Sequence, residues 1–138
     1  MSELNDFNQK VITEFRANQG KVGGQMEGMP LLLLTTTGNK TGRPLTKPLA
    51  YTKDGDRIFV IASFAGSPKN PAWFTNLVAN PTVTVEVGPE RYQARARITS
   101  GEERERLFKV QADKMGIFYD YQKKTTRQIP VVVLERVS

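Results

Sequence analysis

Two strand-like runs lie almost back to back in the middle of this chain. Thr82–Val87 alternates strictly, with Val83, Val85 and Val87 on one face. After Gly88-Pro89-Glu90, Arg91–Ile98 alternates again, with Tyr92, Ala94, Ala96 and Ile98 inward and Arg91, Gln93, Arg95 and Arg97 outward. A period of two on both sides of a short turn requires a sheet with one face buried and one face wet. The other segments must then cover or extend that sheet.

Several do extend it. Leu31–Thr37 is a short apolar run grading into β-branched threonines, which reads as a buried strand. A loop from Gly38 to Pro44 follows, and Thr46–Lys53 reads as the return strand. Lys53-Asp-Gly-Asp56 suits a hairpin turn, because Asp-Gly accepts positive φ angles. Arg57–Ser63 is the next strand, with Ile58, Val60 and Ala62 on one face and Phe59 and Ile61 on the other. Ile129–Val137 reads as the last strand.

Helices fill the gaps. Residues 6–18 carry Phe7, Val11, Ile12 and Phe15 at helical spacing, which reads as a cap on the core in preference to a mobile lid or surface anchor. Gln19-Gly-Lys-Val-Gly-Gly24 breaks that helix. Asn70-Pro71 starts another, with Asn able to cap and Pro suited to the first helical position, and Asn80-Pro81 ends it. Ser100–Glu103 matches a capping box, so a helix is expected over 101–115. Residues 116–128 allow a further short helix. Six or so strands joined by hairpins, with helices outside, predict a closed antiparallel barrel, which leaves few exposed strand edges.

At 138 residues the chain is expected to form one domain, with 1–29 as an N-terminal helix and linker. Its first residues are acidic and polar and do not read as a signal peptide, and no apolar run reaches a membrane span. Without Cys a cytoplasmic protein is the default, with peripheral membrane contact left open.

The chain has no His and no Cys. That removes a Ser-His-Asp triad, a Cys nucleophile and the common zinc sites, so no metal is expected. Asp54 and Asp56 belong to a turn. Glu102, Glu103 and Glu105 stand beside Arg104 and Arg106 on what reads as a solvated helix face. No carboxylate pair suits acid–base work, so chemistry here is expected to belong to a cofactor. The net charge of +6 points to a polyanionic small molecule more than to nucleic acid, because the cations are scattered and sit beside glycines and turns.

Two segments could hold such a ligand. Gly38-Asn-Lys-Thr-Gly-Arg43 is not a P-loop, but Gly38 and Gly42 let backbone approach a ligand, and Lys40 and Arg43 can neutralise a phosphate or carboxylate. The same loop reads equally as an ordinary hairpin loop with exposed cations. Lys69 precedes the helix near Asn70, whose N-terminus would act with it on an anion. Trp73, one turn in, reads first as a core residue.

Together these residues resemble the deazaflavin-dependent nitroreductase family, small split-barrel enzymes of actinobacteria that use coenzyme F420. The match runs from about residue 30 to 135. It comprises Leu33-Leu-Thr-Thr-Thr-Gly-Asn-Lys-Thr-Gly-Arg-Pro44, Pro48-Leu-Ala-Tyr51, Ala62-Ser63, Lys69-Asn-Pro-Ala-Trp-Phe74, Asn76-Leu77, Ala79-Asn-Pro81, Asp120-Tyr-Gln122 and Arg127-Gln-Ile-Pro-Val-Val132. The fold implied is α+β, a split β-barrel of the FMN-binding, pyridoxamine-phosphate-oxidase-like kind, with mostly antiparallel strands and flanking helices.

The resemblance implies cofactor-binding roles. The anionic tail, phospholactate plus glutamates, should run along Asn39, Lys40 and Thr41, with Arg43 and Lys69 as further contacts. Leu45, Thr46, Lys47, Pro48, Leu49 and Ala50 should follow the cofactor. Ile61, Ala62, Ser63 and Phe64 should lie near the ring, with Ala72, Trp73, Phe74, Thr75 and Asn76 on its other side. Phe118 is a further expected contact. The reaction implied is hydride transfer from C5 of the reduced deazaflavin to an electron-poor enone, quinone or nitro compound. A hydroxyl from Ser63 or Tyr121 would donate a hydrogen bond or proton. Tyr121 matches the family's pocket tyrosines, but Met115 and Phe118 stand where others would be expected, so a more apolar pocket is implied.

Two alternatives stand beside this reading. One is an FMN-binding split-barrel oxidoreductase, although FMN's single phosphate needs fewer cations than Lys40, Arg43, Lys47 and Lys69 provide. The other is a non-catalytic carrier of the deazaflavin. Monomer and homodimer are both left open.

Overall fold

Among the described residues, seven strands curl into one antiparallel sheet whose two ends are a single stretch of chain. A computed structural model describes residues 3–20 and 30–137. The strands are β1 (Leu31–Thr37), β2 (Pro44–Ala50), β3 (Thr52–Asp54), β4 (Arg57–Ile61), β5 (Thr82–Val87), β6 (Glu90–Ile98) and β7 (Val131–Arg136). Their order is β2-β1-β5-β6-β7-β4-β3. Only Tyr51 separates β2 from β3, and its N–H donates to the Pro30 carbonyl at 3.0 Å. The expected return strand 46–53 is therefore two strands. Its first half pairs with β1 and its second with β4, which closes the barrel. The seam runs where β2 passes β4 without strand pairing, and this split is where a cleft forms. Pro44 and Pro48 lie in β2, which has β1 as its one strand partner among the described residues, a position where proline's missing N–H is tolerated.

Hydropathy patterning follows which strands are covered. Leu32 and Leu34 point into the barrel, while Leu31 and Leu33 pack under Val11, Ile12 and Phe15 of α1 (Glu3–Ala17). Ile58, Val60 and Ala62 face the barrel interior, and Phe59 and Ile61 face a second core. That second core includes Leu107, Phe108 and Ala112 of α3 (Gly101–Lys114) and Phe118 of α4 (Ile117–Lys123). β7 divides the same way, with Val132 and Leu134 inside and Val131 and Val133 outside. Strands covered on both faces are continuously apolar, whereas β5 and β6 alternate because one face meets water. Truncating a fully buried side chain such as Leu32 to alanine is expected to cost about 2–5 kcal/mol. The helix α2 (Ala72–Ala79) adds Trp73 and Leu77 to the inner core.

Several local expectations need correction. Ile98 is 45% exposed, because it is the last residue of β6 and its inward face opens at the barrel rim. Strand β4 ends at Ile61, and Phe64–Gly66 forms a 3-10 turn. Asn70 does not cap α2. Pro71 occupies the cap position instead, and the Asn70 Oδ1 accepts from Arg127 at 3.0 Å. The Ser100 box is not made, since Gly101 takes φ +57 and Glu103 is held by a two-pronged Arg97 contact at 2.7 and 3.1 Å. Arg104 is buried, not solvated, and donates to the Ile129 carbonyl and the Gln122 Oε1. Helix α1 ends at Ala17, where Gln19 and Gly20 take positive φ. The Phe7 side chain, the rest of the expected glycine-rich break and the linker to residue 29 lie outside what is described.

Candidate active site

Two adjoining hollows follow the barrel seam. The larger, about 540 Å³, lies between β2, the end of β4 and the start of α2. β2 contributes Lys47, Pro48 and Leu49, and the β4 end contributes Ile61, Ser63 and Phe64. Pro71, Ala72 and Trp73 form a third side, and Tyr121 of α4 and Asn8 of α1 complete the lining. The lining is mostly apolar, with Lys47 as its cation and Asn8, Ser63 and Tyr121 as its other polar members. Pockets of this kind suit a flat ring held by few polar groups.

The smaller hollow, about 300 Å³, is polar. Gly38, Asn39, Lys40, Thr41, Arg43, Pro44, Leu45 and Asn76 line it. The loop is tightly folded. The Gly38 N–H donates to the Arg43 carbonyl and the Gly42 N–H to the Gly38 carbonyl, both at 2.8 Å, and the Arg43 N–H donates to Thr41 Oγ1 at 3.2 Å. Gly42 needs its φ of +72, which other residues rarely adopt. A Cβ on Gly38 would come within 2.8 Å of Thr41 Oγ1. Asn76 of α2 fixes the loop to the barrel: its Oδ1 accepts the Asn39 N–H and its Nδ2 donates to Thr36 Oγ1, both at 3.1 Å. Four loop N–H groups are thus occupied internally. Those of Lys40 and Thr41, at the tip, carry no such bond among the described residues. Lys40 and Arg43 are exposed, no carboxylate lines either hollow, and neither cation has an ion pair among the described residues. By contrast Arg16, Arg97 and Arg106 are matched to Glu86, Glu103 and Asp54.

The wall between Ala62 and Ser67 is held by Arg127. Its guanidinium donates to the carbonyls of Ala62 (3.1 Å), Ser63 (2.7 Å) and Ser67 (2.9 Å). Burial pushes the Arg127 pKa down from its usual value. Phe64 takes φ +45 and remains 51% exposed on the cleft. Tyr121 is half-buried, edge-on to Phe118 at 5.8 Å, with the Lys124 ammonium 5.9 Å from its ring.

Most of the residues singled out in the sequence come together here, including Ser63 and Tyr121. Others lie elsewhere. Thr46 pairs its hydroxyl with Thr35 at 2.8 Å. Ala50 packs toward α1, and Ala62 is wholly buried, with its carbonyl given to Arg127. Phe74 packs against the inner core and Thr75 is exposed. Lys69 is exposed and lines neither hollow, so the α2 N-terminus faces the apolar cleft, not the cationic loop. Phe118 and Met115 belong to the second core, behind Tyr121. Sequence reasoning missed Asn8, Pro71 and the role of Arg127. Pro71 and Arg127 stood inside recognised motifs, but nothing marked Asn8. Among the described residues no His, Cys, Asp or Glu group could hold a metal, and no helix is long and apolar enough to cross a membrane.

Comparison with known proteins agrees with this fold. The sequence model of the F420H(2)-dependent quinone reductase family matches residues 8–136. An F420H(2)-dependent quinone reductase of Mycobacterium tuberculosis (strain H37Rv) is 40% identical over 126 residues, spanning 88% of this chain and 85% of the relative. A solved F420-H2 dependent reductase is 39% identical with a TM-score of 0.71, covering 77% of this chain and 94% of its own. A solved domain-swapped dimer is 34% identical with a TM-score of 0.73 and covers 96% of both chains.

Proposed function

This chain belongs to the F420H(2)-dependent quinone reductase family and is an oxidoreductase whose cofactor is coenzyme F420, and we propose that it reduces a quinone within the seam cleft. The observation that carries the proposal is the pairing of an apolar hollow of about 540 Å³ with a cationic one of about 300 Å³ along the same β2 and α2 elements. A flat ring with a long anionic tail needs that combination. Lys40 and Arg43 would hold the tail, with the free N–H groups at the loop tip adding directed donors. The β2 edge from Leu45 to Leu49 would follow the middle of the molecule.

When bound, the reduced deazaflavin supplies the hydride. The chain's own groups do the rest. Trp73, Ile61 and Phe64 keep water from the reacting atoms and limit the orientations an acceptor can take. The Tyr121 Oη and Ser63 Oγ would donate hydrogen bonds to the acceptor oxygen as negative charge builds on it, and Tyr121 Oη can pass a proton to it. Quinone reduction then balances as one hydride plus one proton added, giving the hydroquinone.

The test is anaerobic reoxidation of reduced F420 with menadione, cyclohexenone and a nitroimidazole offered separately. Enzyme-dependent turnover of menadione above the other two is the expected result. Preference for the enone or nitro compound would move the acceptor class. Binding without turnover would make the protein a carrier.

A further inference from the structure

Three main-chain carbonyls of the cleft wall converge on one guanidinium. Arg127 donates to Ala62, Ser63 and Ser67, and its Nη1 also reaches the Asn70 Oδ1 at 3.0 Å. All four acceptors are neutral, so what matters is the planar fork and not an ion pair. The wall it holds is strained. Phe64 takes φ +45, a region bulky residues avoid, and Gly66 takes φ +78 with space for no Cβ, since one would lie 2.8 Å from the Tyr121 carbonyl. Such a wall persists only where its surroundings over-determine it.

The main chain of Arg127 holds the opposite wall. Its carbonyl accepts from Gln122 Nε2 at 2.8 Å. The Gln122 Oε1 in turn accepts from the Ile129 N–H at 3.0 Å and from buried Arg104 at 2.9 Å. Gln122 directly follows Tyr121. One residue is thus bonded on its side-chain side to Ser63 and on its backbone side to the neighbour of Tyr121.

We propose that Arg127 is a positioning residue that sets the placement of Ser63 and Phe64 relative to Tyr121 across the acceptor cleft. It touches neither hollow. Its effect is to fix the distance between the two hydroxyl-bearing walls. This rests on the reading of the cleft as the acceptor site.

The variant Arg127→Lys keeps the charge and removes the fork. In it, amide hydrogen exchange over residues 62–67 is expected to quicken by about tenfold or more, with β5 unchanged. F420 affinity, to which the Lys40 and Arg43 loop contributes apart from this wall, should fall by less than turnover does. Turnover at saturating menadione should fall by about tenfold or more. Guanidinium ion added to Arg127→Ala should restore part of the loss. Gly66→Ala displaces the same wall without altering Arg127 and should show the same faster exchange and lower turnover. Unchanged exchange over 62–67 in Arg127→Lys overturns the proposal, and so does normal turnover in Gly66→Ala. If the unaltered protein fails to turn over menadione, the acceptor reading falls, while the exchange measurement still decides the role of Arg127.

Discussion

The Asn76 Oδ1 on α2 accepts the backbone N–H of Asn39 at 3.1 Å, joining two segments 37 residues apart. With the Nδ2 bond to Thr36 Oγ1, this amide locks the cationic loop onto the barrel beside the smaller hollow. Asn76→Ala leaves the buried Thr36 hydroxyl and the N–H of exposed Asn39 without this bond. It is expected to lower unfolding stability by about 1–3 kcal/mol in chemical denaturation. Asn76→Asp keeps an acceptor for Asn39 but adds a negative charge beside the proposed tail site. It should weaken F420 binding more than Asn76→Ala does at low salt, with the difference shrinking as salt rises.

Lys40 and Arg43 are exposed and lack ion pairs among the described residues, so removing them should barely affect folding. Lys40→Ala and Arg43→Ala should each weaken F420 binding by about tenfold at low salt. Each should also flatten the dependence of affinity on salt. Fluorescence titration of the cofactor at two ionic strengths measures both. Melting temperatures within a few degrees of the unaltered protein would confirm that the loss is local.

Tyr121→Phe keeps the edge-on contact with Phe118 and removes only the hydroxyl. Its expected effect is a fall of about tenfold to a hundredfold in kcat with little change in F420 affinity. Ser63→Ala should behave similarly but more weakly if Ser63 only hydrogen-bonds. Stopped-flow oxidation of bound reduced cofactor separates these steps from product release.

Acid should destabilise the fold through identifiable carboxylates. The guanidinium of Arg106, with Arg57, holds the Asp54 carboxyl below its ordinary pKa, and Arg97 does the same for Glu103. A carboxylate depressed on folding contributes stability above its unfolded pKa and loses it as pH falls through the lower, folded value. Stability should therefore be flat from neutral pH to about 5 and decline below about 4. Asp54→Asn should remove part of that acid-side decline, about 1 kcal/mol or less because the pair meets solvent. The chain has no histidine and no cysteine, the side chains whose ordinary pKa values lie nearest neutrality.

The strands were legible because burial leaves a period: one-sided strands alternate and two-sided strands run apolar. Ile58, Val60 and Ala62 against Phe59 and Ile61 already divided the inner core from the outer one. The bend at Tyr51 was not legible, since a strand that changes partners keeps its pattern through the change. Arg104 was misread because an Arg within Glu-Glu-Arg-Glu-Arg looks solvated, and only the fold brings the Ile129 carbonyl beneath it. The loop cations and Trp73 could be located from local chemistry. Asn8 reaches the cleft only because α1 lies across the seam, and the reach of Arg127 to Ser63 spans 64 residues.

The most direct test is titration of the protein with oxidised F420 and, separately, FMN, following cofactor fluorescence at low and high salt. The two-hollow account predicts tight F420 binding that weakens with salt, FMN binding that is at least about tenfold weaker, and loss of the F420 preference in the Lys40→Ala, Arg43→Ala double variant. Equal binding of FMN, or F420 binding indifferent to salt and to those two cations, would contradict it.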